Sequence, residues 1–192
     1  MMLVMAHGTD QAAPGALELV REFVNTRDAE LGTDRLADPR AAAAWMGEHG
    51  VPGGGEPLAG SDLERLAAVR EALRALLLAN NSGVSPPPDA LETLNGQAAE
   101  AAIGLRFDAE GAALVTRCDG VDSAIARLLS VAHEAMRDGT WRRLKVCPAD
   151  DCLWAFYDHS RNRSGTWCRM EECGNRAKAR AYRERRRRAA DR

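Results

Sequence analysis

The chain has 192 residues and a formal net charge of −2, with 45% apolar and 28% charged residues. That length allows one or two domains, and the apolar share is enough for a real core. No run approaches the eighteen or so apolar residues of a membrane span, and the opening M-M-L-V-M-A-H-G lacks a signal peptide's basic n-region and long apolar run, so a soluble, cytoplasmic protein is expected. The net charge hides an asymmetry. Residues 1–136 hold 10 Lys and Arg against 20 Asp and Glu, a net of −10; residues 137–192 hold 16 against 8, a net of +8. An acidic body joined to a basic tail points to a polyanionic partner for the tail alone. The plainer alternative is that the two parts attract each other.

Taken in order, residues 16–25 carry Leu17, Val20 and Val24 at helical spacing, with Leu19 and Phe23 alongside. The helix ends near Asn25-Thr26, and a polar loop containing Gly32 follows. Asp38-Pro39 is a helix start, with Asp as N-cap and Pro in the first turn, and the helix is predicted to run to about Glu48. V-P-G-G-G-E-P is a loop. Ser61-Asp62-Leu63-Glu64 reads as a capping box. The helix it opens places Leu66, Val69, Leu73, Leu76 and Leu77 on one face and stops at Asn80-Asn81-Ser82-Gly83. Prolines 86–88 break the chain before a shorter helix through Leu91 and Leu94. Ile103–Phe107 and Ala112–Thr116, around Asp108-Ala109-Glu110-Gly111, predict a β-hairpin. Residues 121–136 form the clearest helix, with a stripe of Val121, Ile125, Leu128, Leu129, Ala132, Ala135 and Met136, closed by Asp138-Gly139. These stripes are expected to bury against one another and against the hairpin. His133 reads as a packed or surface residue, and Cys118 as a small half-buried one with no partner by spacing.

A boundary is placed near Gly139. Beyond it, Cys147 and Cys152 form one C-x4-C pair and Cys168 and Cys173 a second, fifteen residues on. Two short-range thiol pairs joined by a loop are what a tetrahedral Zn²⁺ needs, and soft thiolates favour zinc over magnesium or calcium. A closed four-sulfur shell leaves no open position, so the ion builds structure and does not catalyse. Two disulfides, an iron–sulfur cluster or unrelated buried thiols are the alternatives. Residues beyond Gly139 have too little aliphatic content to fold alone, so metal binding is expected to stabilise them. Leu153–Tyr157 is predicted as a short strand with Thr166-Trp167 returning as its partner. Trp154, Phe156 and Trp167 are read as cover for the metal rather than as base-stacking platforms.

After Cys173 the chain runs G-N-R-A-K-A-R-A-Y-R-E-R-R-R-R. Gly174 can admit the close backbone approach that lets amides reach a cysteine sulfur. On the helix that follows, Arg176, Arg180, Arg183 and Arg187 share a face, with Lys178 nearby; Ala177, Ala181 and Glu184 share a neighbouring face that docks on the metal knuckle. A guanidinium stripe anchored by a metal ligand suits phosphate and groove contacts on nucleic acid. A solvated charged helix is the alternative.

The run C-x4-C-L-W-A-F-Y-D-H-S-R-N-R…W-C-R-M-E-E-C-G-N-R-A-K-A-R closely resembles the CGNR zinc-finger family, whose name reads directly on Cys173-Gly174-Asn175-Arg176. Upstream, Phe23-Val24-Asn25-Thr26-Arg27-Asp28 resembles the opening motif of the ABATE domain that accompanies this finger, and Trp45 and the Leu63–Leu78 helix sit where such proteins place a tryptophan and a helix. The resemblance implies a bacterial stress-induced transcriptional regulator with a treble-clef-like, DNA-binding zinc module, and carries the ligands over as Cys147, Cys152, Cys168 and Cys173.

The expected fold class is therefore α+β. Residues 1–139 form a mainly helical domain with a small β-hairpin, and residues 140–192 a zinc module ending in a basic helix. The expected function is a DNA-binding regulator with one structural zinc, whose acidic body senses a small-molecule effector or makes a homodimer. Asn25 and Thr26 are weak candidates for lining an effector pocket; a helix-terminating cap is the preferred reading. An RNA- or protein-binding module with no operator is the alternative function. A nuclease centred on Asp158, His159 and Asn162 has thin support, because it requires a second, open metal site; no enzyme is expected.

Overall fold

The computed structural model describes residues 11–52, 58–109 and 111–190. The first helix, α1 (Leu17–Val24), buries all five apolar residues its spacing placed on the inner side. Two residues later, β1 (Arg27–Asp28) pairs antiparallel with β2 (Thr33–Asp34). Helix α2 (Pro39–Glu48) starts as expected, with the Asp38 carboxylate accepting from the Arg40 and Ala41 N–H groups. In the loop expected at 51–57, Val51 is buried, and residues 53–57 lie outside the described residues.

Helix α3 (Gly60–Ser82) begins earlier than the Ser61 capping box implies. Its N-cap is Ala59, which has no side-chain acceptor, and Asp62 at the third helical position accepts from the Ala59 N–H at 3.2 Å. Ser61 thus lies inside the first turn, because the acidic residue alone closes it. The predicted apolar face, Leu66 to Leu77, is buried throughout. In α4 (Pro88–Glu100) Leu94 is half-buried but Leu91 is exposed, and Ala90 is buried in its place.

The hairpin forms in the expected place, β3 (Gly104–Asp108) with β4 (Gly111–Val115), but not in the expected environment. β3 is exposed along its length, with Leu105 and Phe107 in solvent. Only β4 leans on α5, so the two-stranded sheet hangs beside the core instead of closing it. Helix α5 (Gly120–Asp138) ends on Gly139 in the left-handed region, φ 83°. Its buried face uses Ala124, Ala126 and Val131, while Leu129 is half-buried and Met136 exposed. Small alanines on that face let α5 approach α1 closely.

Helix α3 is the hub and touches α1, α2, α4 and α5. Phe23 and Trp45 meet with ring centroids 5.6 Å apart, and His49 stacks on Trp45 at 4.3 Å. Each fully buried Leu, Val or Phe contributes roughly 1.5–3 kcal/mol to this core.

Beyond Gly139, a single turn of 3-10 helix (Trp141–Arg143) leads into β5 (Leu144–Val146), which pairs antiparallel with β6 (Ala155–Tyr157). The partner of β6 is therefore upstream, not the expected Thr166-Trp167, which is not a strand. This hairpin has two faces. Opposed residues Leu144 and Tyr157, and Val146 and Ala155, point into the same core as α1, α3 and α5. Lys145 and Phe156, also opposed, point the other way, towards the cysteines. Period-2 geometry thus makes one hairpin the wall between the helical core and the metal centre.

Polar side chains of the helices secure that wall. Asn80 donates to the Trp141 and Leu144 carbonyls at 2.9 and 3.0 Å, and Asn81 to Val146 and Thr166, both at 2.7 Å. Buried Arg74 donates to the Leu153 carbonyl at 2.6 Å and to Val24 at 2.7 Å. Buried Arg70 forks onto Asp34 at 2.6 and 2.7 Å. The last element, α6 (Asn175–Ala190), is reached through a π turn over Met170–Gly174.

Candidate metal centre and basic helix

Cys147 and Cys152 flank the turn that joins β5 to β6. The Cys147 N–H donates to the Trp154 carbonyl at 2.9 Å, and the Cys152 and Leu153 N–H groups donate to the Ala149 carbonyl at 2.9 and 3.1 Å. Leu153 completes the reversal in the left-handed region, φ 54°. Cys168 arrives after the long loop, and Cys173 lies in the π turn that opens into α6. All four Sγ atoms lie within 4.8 Å of one another, and all four residues are buried. Cys152 and Cys168 Sγ are 3.5 Å apart, and Cys168 and Cys173 3.7 Å. A tetrahedral ion with Zn–S bonds of about 2.3 Å requires sulfurs about 3.8 Å apart. The residues present fit one structural zinc. All five cysteines are free of disulfides.

The four thiols are close enough to affect one another's ionisation. Hydrogen bonds from Cys152 and Cys168 hold the Cys147 thiol down, to about 2. The same pairing with Cys147 pushes Cys152 up to about 12, and drives Cys168 upward as well. One thiolate thus suppresses ionisation of its neighbours, and a dication bound between them would favour the ionised form of each. Phe156 is buried against the cluster, and Trp154, Trp167 and Ala149 pack on it, as expected of cover for a metal.

The loop between the cysteine pairs is held by an ion pair. Lys145 Nζ donates to Asp158 Oδ2 at 2.7 Å and to the Arg163 and Gly165 carbonyls, both at 2.8 Å. The Asp158 carboxylate also accepts from the Ser160 and Gly165 N–H groups. Burial alone would raise the Asp158 pKa, but the bonds from Lys145 and Ser160 outweigh it and hold the carboxyl below its usual 3.8. Sequence reasoning missed Lys145. A lone lysine inside an apolar L-K-V strand was the available signal.

Gly174 does not direct its amide at a sulfur. Its N–H donates to the Arg169 carbonyl at 3.2 Å, and a Cβ there would run into Met170 Sδ and lie 3.2 Å from Trp167 Cδ1. The close approach is one of side chains, not of a ligand.

On α6, Ala177 and Ala181 are half-buried and line a groove of about 180 Å³ with Pro148, Asp151, Trp167 and Glu184. That is the docking face the spacing indicated. The cationic side chains divide into two groups. Arg176 turns back onto the centre, Nη2 donating to Cys173 Sγ at 3.2 Å and Nη1 to Glu30 Oε1 at 3.3 Å. Arg180 Nη1 stands 4.0 Å from Asp150. Lys178, Arg183 and Arg187 are exposed and make no ion pair with any described residue.

Asn25 and Thr26 are both engaged in bonds within the fold. Asn25 makes a two-way amide bond with Ala155, Nδ2 to the carbonyl at 2.9 Å and the N–H to Oδ1 at 2.8 Å. Buried Thr26 donates from Oγ1 to the Phe23 carbonyl at 2.8 Å and accepts from Arg70 at 3.1 Å. These groups cap α1 and fasten β6, so an effector would have to displace bonds already made. His133 is exposed, and Cys118 is half-buried.

The profile of ABATE, described as "Putative stress-induced transcription regulator", matches residues 17–138, more than half of the chain. The chain belongs to the ABATE family. The CGNR zinc finger matches residues 143–186. No curated protein matches the chain. In this ABATE protein the first matched segment runs from α1 to the end of α5. The CGNR segment covers the hairpin, all four cysteines and most of α6. Its signature tetrapeptide supplies one ligand, one packed glycine, an asparagine that donates to the Glu171 carbonyl at 2.9 Å, and an arginine folded back onto the ligand. No described helix of this ABATE protein is long and apolar enough to cross a membrane.

Proposed function

We propose that this ABATE protein is a DNA-binding transcriptional regulator of the bacterial cytoplasm, with α6 as its DNA-contacting element. The observation that carries the reading is that α6 follows directly on the turn that holds Cys173, docks through Ala177 and Ala181, and leaves Lys178, Arg183 and Arg187 exposed, with no ion pair to any described residue. Residues 140–192 are the DNA module. Residues 1–139 are the unit through which an effector or a second copy acts. A nuclease is disfavoured, because Asp158 is buried with both oxygens engaged and His159 Nε2 lies 2.8 Å from the Ala12 carbonyl.

Binding of duplex DNA is expected to weaken by about 0.9 log unit per log unit of salt for each phosphate contact. Replacing Lys178, Arg183 and Arg187 together by Ala is expected to flatten that slope by about 2.7, read by fluorescence anisotropy across a salt series. A slope that does not change removes α6 as the contact. Genomic DNA captured on the protein is expected to share a sequence; tight RNA binding with no shared DNA sequence supports the RNA-binding alternative instead.

A further inference from the structure

We propose that Arg176 is a positioning residue of the zinc centre and its tie to the helical unit, not a contact for nucleic acid. The inference rests on the zinc reading of the four cysteines. The helical periodicity puts Arg176 in line with Arg180, Arg183 and Arg187, where a phosphate contact is the natural expectation. The geometry assigns it elsewhere. Its guanidinium reaches three parts of the chain: Cys173 Sγ at 3.2 Å, Asp151 Oδ1 at 3.7 Å in the first cysteine knuckle, and Glu30 Oε1 at 3.3 Å in the turn between β1 and β2. Arg183 and Arg187 make no comparable contacts with any described residue.

The charge balance explains why a cation belongs there. Four thiolates around one dication leave the centre with two excess negative charges. A guanidinium N–H directed at a ligand sulfur offsets part of that charge and fixes the ligand's orientation, the role outer partners play at metal sites. A planar fork serves better than an ammonium, because it can donate to sulfur from one nitrogen and to carboxylates from the others. To reach a phosphate, Arg176 would have to leave a thiolate and two carboxylates. Glu30 extends the chain of contacts out of the zinc module, so the metal's surroundings are bonded to the β1–β2 turn near the end of α1.

The test uses zinc-loaded full-length protein. Zinc affinity is measured by competition with a chromogenic chelator, and the ligand field by the sulfur-to-cobalt charge-transfer band of the Co²⁺-substituted protein. Arg176→Ala is expected to raise the zinc Kd by about 10- to 100-fold and to shift the cobalt band. Arg176→Lys is expected to restore part of both, and Arg183→Ala to leave both unchanged. At saturating zinc, the salt slope of duplex binding is expected to stay at the wild-type value in Arg176→Ala and to fall by about 0.9 in Arg183→Ala. Wild-type zinc affinity in Arg176→Ala, or a slope reduced by about 0.9 with zinc retention intact, overturns the proposal. If Arg176→Ala does not fold, Glu30→Gln keeps the guanidinium and removes its anchor; it is expected to weaken zinc retention by less, and an unchanged affinity refutes the tie to the helical unit. Wild-type protein that binds no zinc at all is a separate result, and it removes the metal reading itself.

Discussion

Stripping the metal with a strong chelator is expected to unfold the whole chain in one transition, not only residues 140–192. The reason lies in the two faces of the β5–β6 hairpin. Cys147 and Cys152 close the turn of that hairpin, while its Leu144, Val146, Ala155 and Tyr157 side chains belong to the core shared with α1, α3 and α5. Binding a structural zinc contributes on the order of 10 kcal/mol. Total stabilities of domains are typically about 5–15 kcal/mol, so little would remain without it. Four buried sulfurs with no ion would also retain the mutual suppression of ionisation described above. Asn25, Arg74, Asn80 and Asn81 would lose backbone partners if the hairpin frayed, leaving one buried guanidinium and three half-buried amides short of partners. Cys168→Ser is expected to behave like chelation. Hydrogen exchange on chelator-treated protein decides the matter: protection is expected to fall in α1, α3 and α5 together with α6. Native protection in the first three, with loss confined to the cysteine knuckles and α6, would show two independent folding units.

Lys145→Met is expected to destabilise the protein by about 3–5 kcal/mol, because it leaves Asp158 buried without its counter-ion. Lys145 and Asp158 are 5% and 4% exposed, so solvent cannot substitute. The same ammonium ties the Arg163 and Gly165 carbonyls, and thereby the approach of the chain to Cys168. The variant is therefore expected to bind zinc less tightly as well. Replacing both members, Lys145→Met with Asp158→Asn, is expected to cost less than the sum of the single changes in a denaturant series. A pH dependence accompanies the pair. The Asp158 pKa is depressed on folding, so its contribution is fully present above its unfolded value near 3.8 and is lost as pH falls through the lower folded value. In Lys145→Met the share of the depression due to the ammonium is lost, and that part of the acid-side loss of stability is expected to vanish. Equal stabilities of wild type and Lys145→Met in urea melts would show that the pair is dispensable.

Much of the helical layout was legible in the residues because local chemistry decides it. Asp38-Pro39, Gly83 and Gly139 begin or end helices through groups within a few positions of one another, and the stripes of α1 and α3 are one-dimensional patterns. The readings that failed depended on what lay opposite. Leu105 and Phe107 look like a buried strand until the sheet proves to be two strands beside the core. Met136 fits the α5 stripe, yet the face turned inward is set by where α1 lies. The strand at Ala155–Tyr157 was found, but its partner was misplaced, because either neighbouring segment satisfies the same local rules.

The cysteine spacing by itself pointed to a four-thiolate centre, and the arginine pattern to a cationic helix following it, since thiol pairing and helical phase are properties of short stretches. Only the tertiary structure decided how those parts are used. It spent Asn25 on fastening β6 and Thr26 on the end of α1, and turned Arg176 inward to a sulfur. It also bonded Lys145 to an aspartate thirteen residues away, because a polar group's role is set by the partner that desolvates with it, and that partner is brought close only when the chain folds.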